Sequence, residues 1–136
     1  MSATEKDIRL LEKIQQYCEK INSTVDRFGK SLPAFVNDQD YIDSVSMNIL
    51  QIGELAGKLS DTYVQETKDE INWRAIKGMR NLFAHAYGSM DIEMIWDTVI
   101  DDIPRLEQFC KQQLRVNIDV EQESAVDNNH SMGMNL

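Results

Sequence analysis

The chain has two histidines, and only His85 stands in a patterned stretch, Met79-Arg-Asn-Leu-Phe-Ala-His-Ala-Tyr-Gly-Ser. Arg80 lies just upstream of it and Tyr87 just downstream. An imidazole titrates near neutrality, so it can take the proton of a 2′-hydroxyl or give one to a leaving oxygen. A guanidinium offers a planar fork of donors that suits a phosphate and can stabilise charge building on a phosphorane. Arg80 and His85 are thus a sufficient kit for metal-free RNA cleavage. The competing reading of His85 is a partly buried histidine satisfied by a carbonyl or a carboxylate. Asn81, a poor helix former beside Arg80, is a candidate supporting residue. Glu54 can orient Arg80 or His85, or can form an ordinary surface or structural ion pair.

The charge distribution sharpens this picture. The chain carries 23 acidic against 14 basic residues, a net charge of −9. That balance opposes tight, indiscriminate nucleic-acid binding, which rests on many Lys and Arg contacts to phosphate. From Ile71 to Met90, however, the charged side chains are Arg74, Lys77 and Arg80, all basic. From Asp91 to Glu107, six acidic residues face Arg105 alone. A small basic island in an acidic body can hold a few phosphates in a defined place.

The elements that must position these residues are helical. Leu11, Ile14, Cys18, Ile21, Val25 and Phe28 recur in threes and fours, which predicts an amphipathic helix. Ser2 and Glu5 have capping-box spacing at its start, and Gly29 suits its end. Residues 31–37, with Pro33, read as a loop. Asp38 or Asp40 can cap a second helix with a seam of Ile42, Val45, Ile49, Ile52, Ala56 and Leu59. Gly53 and Gly57 cost that helix roughly 1 kcal/mol each relative to alanine, so they point to close approach of a neighbour. Ser60 to Glu70 reads as a loop with some helical turns. Asn72 can cap a third helix carrying Trp73, Ile76, Met79, Leu82 and Phe83, with Gly88 at its end. Asp91 can cap a fourth, with Ile95, Trp96, Val99, Ile103, Leu106 and Cys110 on one face. Pro104 predicts a kink or a restart there, with Asp101 or Asp102 as the new cap. The aspartate pair also has the look of a metal site, but capping accounts for it more simply. Trp73 and Trp96 fit core or dimer-contact positions better than base-stacking platforms.

The pattern gives an all-α fold, an antiparallel bundle of four to five helices over residues 1–115, followed by an acidic and polar disordered tail over 116–136. Cys18 and Cys110 lie apart within apolar patterns, so neither a disulfide framework nor a zinc site is expected, and no metal or other cofactor is called for. No apolar run reaches the roughly 20 residues of a membrane span, and the first residues lack the pattern of a signal peptide, so the chain reads as cytoplasmic. One geometric tension remains. At about 100° per residue, positions 80 and 85 are some 140° apart around an ideal helix. Either the helix loosens before Gly88, the arginine wraps round, or the site combines residues of two subunits.

The run Arg80-Asn-Leu-Phe-Ala-His85-Ala-Tyr87 resembles the R-x4-H-x-Y motif of HepT-type proteins in the HEPN superfamily. Asn48-Ile-Leu-Gln-Ile-Gly-Glu-Leu-Ala-Gly-Lys-Leu-Ser resembles the second helix of that family. Ile71-Asn-Trp-Arg-Ala-Ile-Lys-Gly-Met-Arg-Asn resembles the approach to its motif, and Ile95-Trp-Asp with Asp102-Ile-Pro-Arg-Leu its last helix. The resemblance covers nearly all of residues 5–114. Ala86 departs from it, since many relatives have glycine after the histidine; no functional group is lost. The resemblance implies a helical bundle that forms a homodimer with two motifs in one cleft. It implies a toxin with metal-independent RNA endonuclease activity, in which Arg80 and His85 are catalytic. It further implies a minimal nucleotidyltransferase antitoxin as partner, which moves AMP from ATP onto Tyr87. A phosphodiester-linked adenylate there would add negative charge and bulk where an RNA phosphate must sit. Two other readings compete: a non-catalytic HEPN module that docks a nucleotidyltransferase, and a structural dimerisation bundle with an inert His85.

Overall fold

A computed structural model describes the backbone of residues 3–85 and 91–117, and the side chains of residues 3–80 and 92–117. Among them every regular element is a helix, and there is no strand. Helix α1 (Glu5–Phe28) turns its Leu11, Ile14, Cys18, Ile21 and Val25 seam inward, and all five are buried. Its cap is Thr4 with Asp7 as the reciprocal partner, not Ser2 with Glu5. Both pairs have the right spacing; Asp7 prevails because it also binds a distant helix end. Its carboxylate accepts from the Ser60 amide at 2.8 Å and the Ser60 hydroxyl at 2.6 Å. Gly29 ends α1 at φ +109°, a conformation that favours glycine.

Residues 32–36 depart from the expected loop. They form one short helix, α2 (Leu32–Val36), capped by Ser31 and opened by Pro33, too short to reveal a period. Asp38 caps α3 (Gln39–Ala56) by accepting from the amides of Asp40 and Tyr41. The expected seam of α3 is buried along its whole length. Ser60, the residue held by Asp7, caps α4 (Asp61–Thr67). Asn72 accepts from the Ala75 amide at the head of α5 (Trp73–His85). Then α6 (Asp91–Asp97) passes unbroken through a π-helical turn (Thr98–Asp102) into α7, residues 103–117.

The helix around Pro104 therefore neither stops nor restarts. The Ile103 amide donates to the Thr98 carbonyl, one residue further back than in an α-helix. That widening, directly before a residue with no amide proton and a bulky ring, absorbs the proline. Asp101 and Asp102 lie inside the turn and cap no restart, and among the described residues no three potential ligands gather as a metal site. Helix α7 runs two residues past the expected domain end and buries Asn117; the rest of the expected tail lies outside the described residues.

The result is an all-α helical bundle with α3 at its centre, packed along α1 on one side and α5 on the other. Two aromatic groups fill the core. Tyr41 stacks on Phe28 and meets Phe35 and Trp96 edge-on, while Trp73 packs between Tyr63 and Phe109. Both tryptophans are buried, and the Trp73 indole donates to the Thr67 hydroxyl at 2.7 Å. Cys18 and Cys110 are reduced and buried, and burial pushes both thiols up, that of Cys110 to about 12. Such thiols stay protonated and inert. No helix among the described residues is long and apolar enough to cross a membrane.

Candidate active site

The packing of α3 on α5 builds the region around Arg80. Trp73, Ile76 and Met79 are buried on one face of α5, and Arg80, one turn beyond Ile76 on the same face, stays exposed. Its stem crosses α3 at Gly53. A β-carbon on residue 53 would lie 2.8 Å from Arg80 Cγ and 3.4 Å from both the Arg80 amide nitrogen and the Ile76 carbonyl oxygen. Gly53 is thus the close approach expected of it, and Arg80 is what comes close. Gly57 meets only its own helix and marks the end of α3.

One turn of geometry further, Arg80 Nε donates to Glu54 Oε1 at 2.8 Å. Of the partners open to Glu54, the structure shows Arg80. The pair is only partly covered, with 55% of the arginine side chain and 43% of the glutamate side chain exposed. An exposed pair of this kind adds little to stability, so its main effect is geometric. It uses the Nε edge of a guanidinium that has five N–H donors, and the remaining donors suit a second anion.

Helix α5 continues through His85, so positions 80 and 85 keep their separation of about 140°. Loosening upstream of His85 does not bring them together. The tether to Glu54 also draws Arg80 towards α3, which opposes wrapping around α5. The backbone positions of Asn81 and His85 belong to α5, but their side chains, and Tyr87 with Gly88 as a whole, lie outside the described residues. Arg74 and Lys77, the rest of the basic island, are exposed on α5.

Tyr41 and Tyr63 are buried, with their hydroxyls donating to the Gly29 carbonyl and to Gln113, both at 3.0 Å. Burial raises both phenols above their ordinary range. Tyr17 is half-buried under Lys20. Two surface grooves lie away from Arg80, one between α1 and α3 around Gln16, Ser23 and Asn48, the other around Ile71, Arg105 and Phe109.

The family described as "Ribonuclease HepT-like" matches residues 14–113. A protein of Caldanaerobacter subterraneus subsp. tengcongensis, provisionally named an RNase, is 31% identical over 105 residues, covering 77% of this chain and 91% of its own length. A Thermococcus cleftensis protein with the provisional name ribonuclease HepT is 34% identical over 62 residues, 43% of this chain and 56% of its own. A Methanocaldococcus jannaschii protein, also provisionally an RNase, is 23% identical over 83 residues, 54% and 75% of the two chains. No solved structure matches the chain.

Proposed function

The chain belongs to the HepT-like ribonuclease family, and from that premise we propose that it is a metal-independent RNA endonuclease and toxin centred on Arg80 and His85. The observation that carries this reading is the Arg80 guanidinium, anchored by Glu54 over Gly53 yet more than half exposed. An arginine fixed at one edge and open at the other can receive the scissile phosphate and neutralise its charge as a fifth oxygen approaches. His85 removes the proton of the 2′-hydroxyl, whose oxygen attacks phosphorus. The bond to the 5′-oxygen breaks, and that oxygen takes a proton from water or from the protonated imidazole. The products are a 2′,3′-cyclic phosphate, or the 3′-phosphate formed from it by water, and a 5′-hydroxyl.

The separation of positions 80 and 85 supports a homodimer in which the two motifs share a cleft, so that Arg80 of one protomer works with the His85 position of its partner. Asn81 is assigned a supporting role at the same centre. We assign regulation to a minimal nucleotidyltransferase antitoxin. The Tyr87 oxygen attacks the α-phosphorus of ATP, pyrophosphate leaves, and the tyrosine gives up its proton. The adenylate then competes with RNA for the basic island.

The test is cleavage of RNA by the wild type, Arg80→Ala and His85→Ala, with and without EDTA. Each substitution is expected to lower the rate on the order of 10²–10⁴-fold, the usual worth of a general acid–base group. Full activity in His85→Ala, or activity abolished by EDTA, would overturn the mechanism. The net charge of −9 favours a second reading, a non-catalytic module that docks a nucleotidyltransferase. Toxicity on expression that survives in His85→Ala, or that never arises, fits that reading instead.

A further inference from the structure

Gly78 sits in the interior of α5, where a glycine costs about 1 kcal/mol relative to alanine. Gly53 has a reason for being small, but a β-carbon on Gly78 would meet nothing within 4 Å. The space in front of it is open. On an α-helix, positions 74, 78, 81 and 85 fall within a sector of about 60°, with position 77 about 40° outside it on the side of Asn81. This sector is opposite the one that buries Trp73, Ile76 and Met79. Arg74 and Lys77 are exposed beside Gly78, and among the described residues neither makes an ion pair. In a protein of net charge −9, two exposed cations beside a helix backbone that no β-carbon shields at Gly78 form a surface complementary to a polyanion.

We propose that the outer face of α5 over Arg74, Lys77 and Gly78 is a track for the phosphate backbone of single-stranded RNA, leading along the helix to the position of His85. This proposal rests on the ribonuclease reading, extending it from the scissile phosphate to its neighbours. Arg74 lies about 16 Å along the helix axis from position 85, at a rise of 1.5 Å per residue. The track therefore grips phosphates well removed from the bond that breaks. Gly78 is the point of closest passage, where the absent side chain lets the strand lie against the helix backbone just past the two cations. Arg80, at the α3 edge of the helix, is left for the reacting phosphate.

The experiment measures binding of a short, fluorescently labelled single-stranded RNA of mixed sequence as salt is varied. It compares the wild-type chain with Arg74→Ala/Lys77→Ala and with Gly78→Ala. Losing two phosphate contacts should reduce the slope of log affinity against log salt by about 1.4, at about 0.7 per contact on single strands. Gly78→Ala should weaken RNA binding while raising the melting temperature, two changes of opposite sign that a misfolded variant cannot produce. In cleavage assays the double variant should lose more kcat/KM on long RNA than on a dinucleotide, with the loss carried by KM.

Unchanged affinity and salt slope in both variants overturn the track, as does a wild type that binds no RNA. Light scattering that shows a shifted monomer–dimer equilibrium with unchanged RNA affinity makes this face a protein interface and equally overturns it. Binding that depends on the track without any cleavage would leave the track standing and remove the nuclease reading. Cleavage indifferent to both variants would do the reverse.

Discussion

Arg80 Cγ lies only 2.8 Å from where a β-carbon on Gly53 would stand, closer than such an atom could be tolerated. A single absent methyl group therefore sets both how near α5 comes to α3 and where the arginine stem runs. Gly53→Ala should gain some helix propensity, about 1 kcal/mol, but must displace Arg80 or spread two packed helices at roughly 1–3 kcal/mol. The expected outcome is a net loss near 1 kcal/mol in urea denaturation, together with RNA cleavage reduced by more than that loss of folded protein explains.

On the proposed mechanism Glu54 is a positioning residue, acting through its ion pair with Arg80. Glu54→Gln keeps an acceptor for Arg80 Nε, whereas Glu54→Ala removes it. Because the pair is exposed, neither change should cost more than about 1 kcal/mol of stability. The alanine variant should lose kcat and the glutamine variant should recover most of it. Equal activity in the two variants would show that orientation by Glu54 is not needed.

Asp7 ties two helix starts together, its own and that of α4 through Ser60. Burial by itself raises this carboxyl, but hydrogen bonds from Ser60 and Thr4 outweigh it and hold the group below its ordinary value. A carboxylate depressed in the folded state stabilises the fold fully above its unfolded value of about 3.9 and loses that contribution as pH falls through the lower, folded one. Denaturant midpoints should therefore fall below about pH 4 in the wild type, and more shallowly in Asp7→Asn. Asp7→Ala, which strands the Ser60 amide and the α1 cap, should cost about 2–3 kcal/mol at neutral pH.

Adenylation by a partner nucleotidyltransferase, if it falls on tyrosine, has a restricted choice. The hydroxyls of Tyr41 and Tyr63 are buried and engaged. Intact-mass and peptide measurements after incubation with partner and ATP should place AMP on Tyr87. Tyr87→Phe should keep the fold and at least part of the cleavage, while escaping neutralisation. Modification of Tyr17, or unchanged neutralisation of Tyr87→Phe, would move the switch elsewhere.

Much of the helical framework was legible because burial on one side of a helix imposes a period of 3.6 on the residues themselves. Ile14, Cys18, Ile21 and Val25, or Ile42, Val45, Ile49 and Ile52, declare their helix and their inward face without any partner in view. Local punctuation was equally readable: Gly29 as a stop, and Asp38 and Asn72 as caps that bind amides only a few positions away. The chemistry of the Arg80 and His85 types, and the basic island around them, also required no tertiary information.

What the sequence left open depended on contacts between residues far apart along the chain. Ser2/Glu5 and Thr4/Asp7 have the same capping spacing, and the choice went to Asp7 because Ser60, from another helix, needs the same carboxylate. A five-residue helix at Leu32–Val36 is shorter than the pattern that would reveal it. The effect of Pro104 could be a break or a widening, and continuous packing of Val99, Ile103 and Leu106 into one core accompanies the π-helical turn. Glu54 could serve Arg80, His85 or neither, since spacing along a chain does not say which helices adjoin. The close crossing of α3 and α5 at Gly53 brings Glu54 Oε1 to Arg80 Nε, because no side chain stands between the two helices at that point.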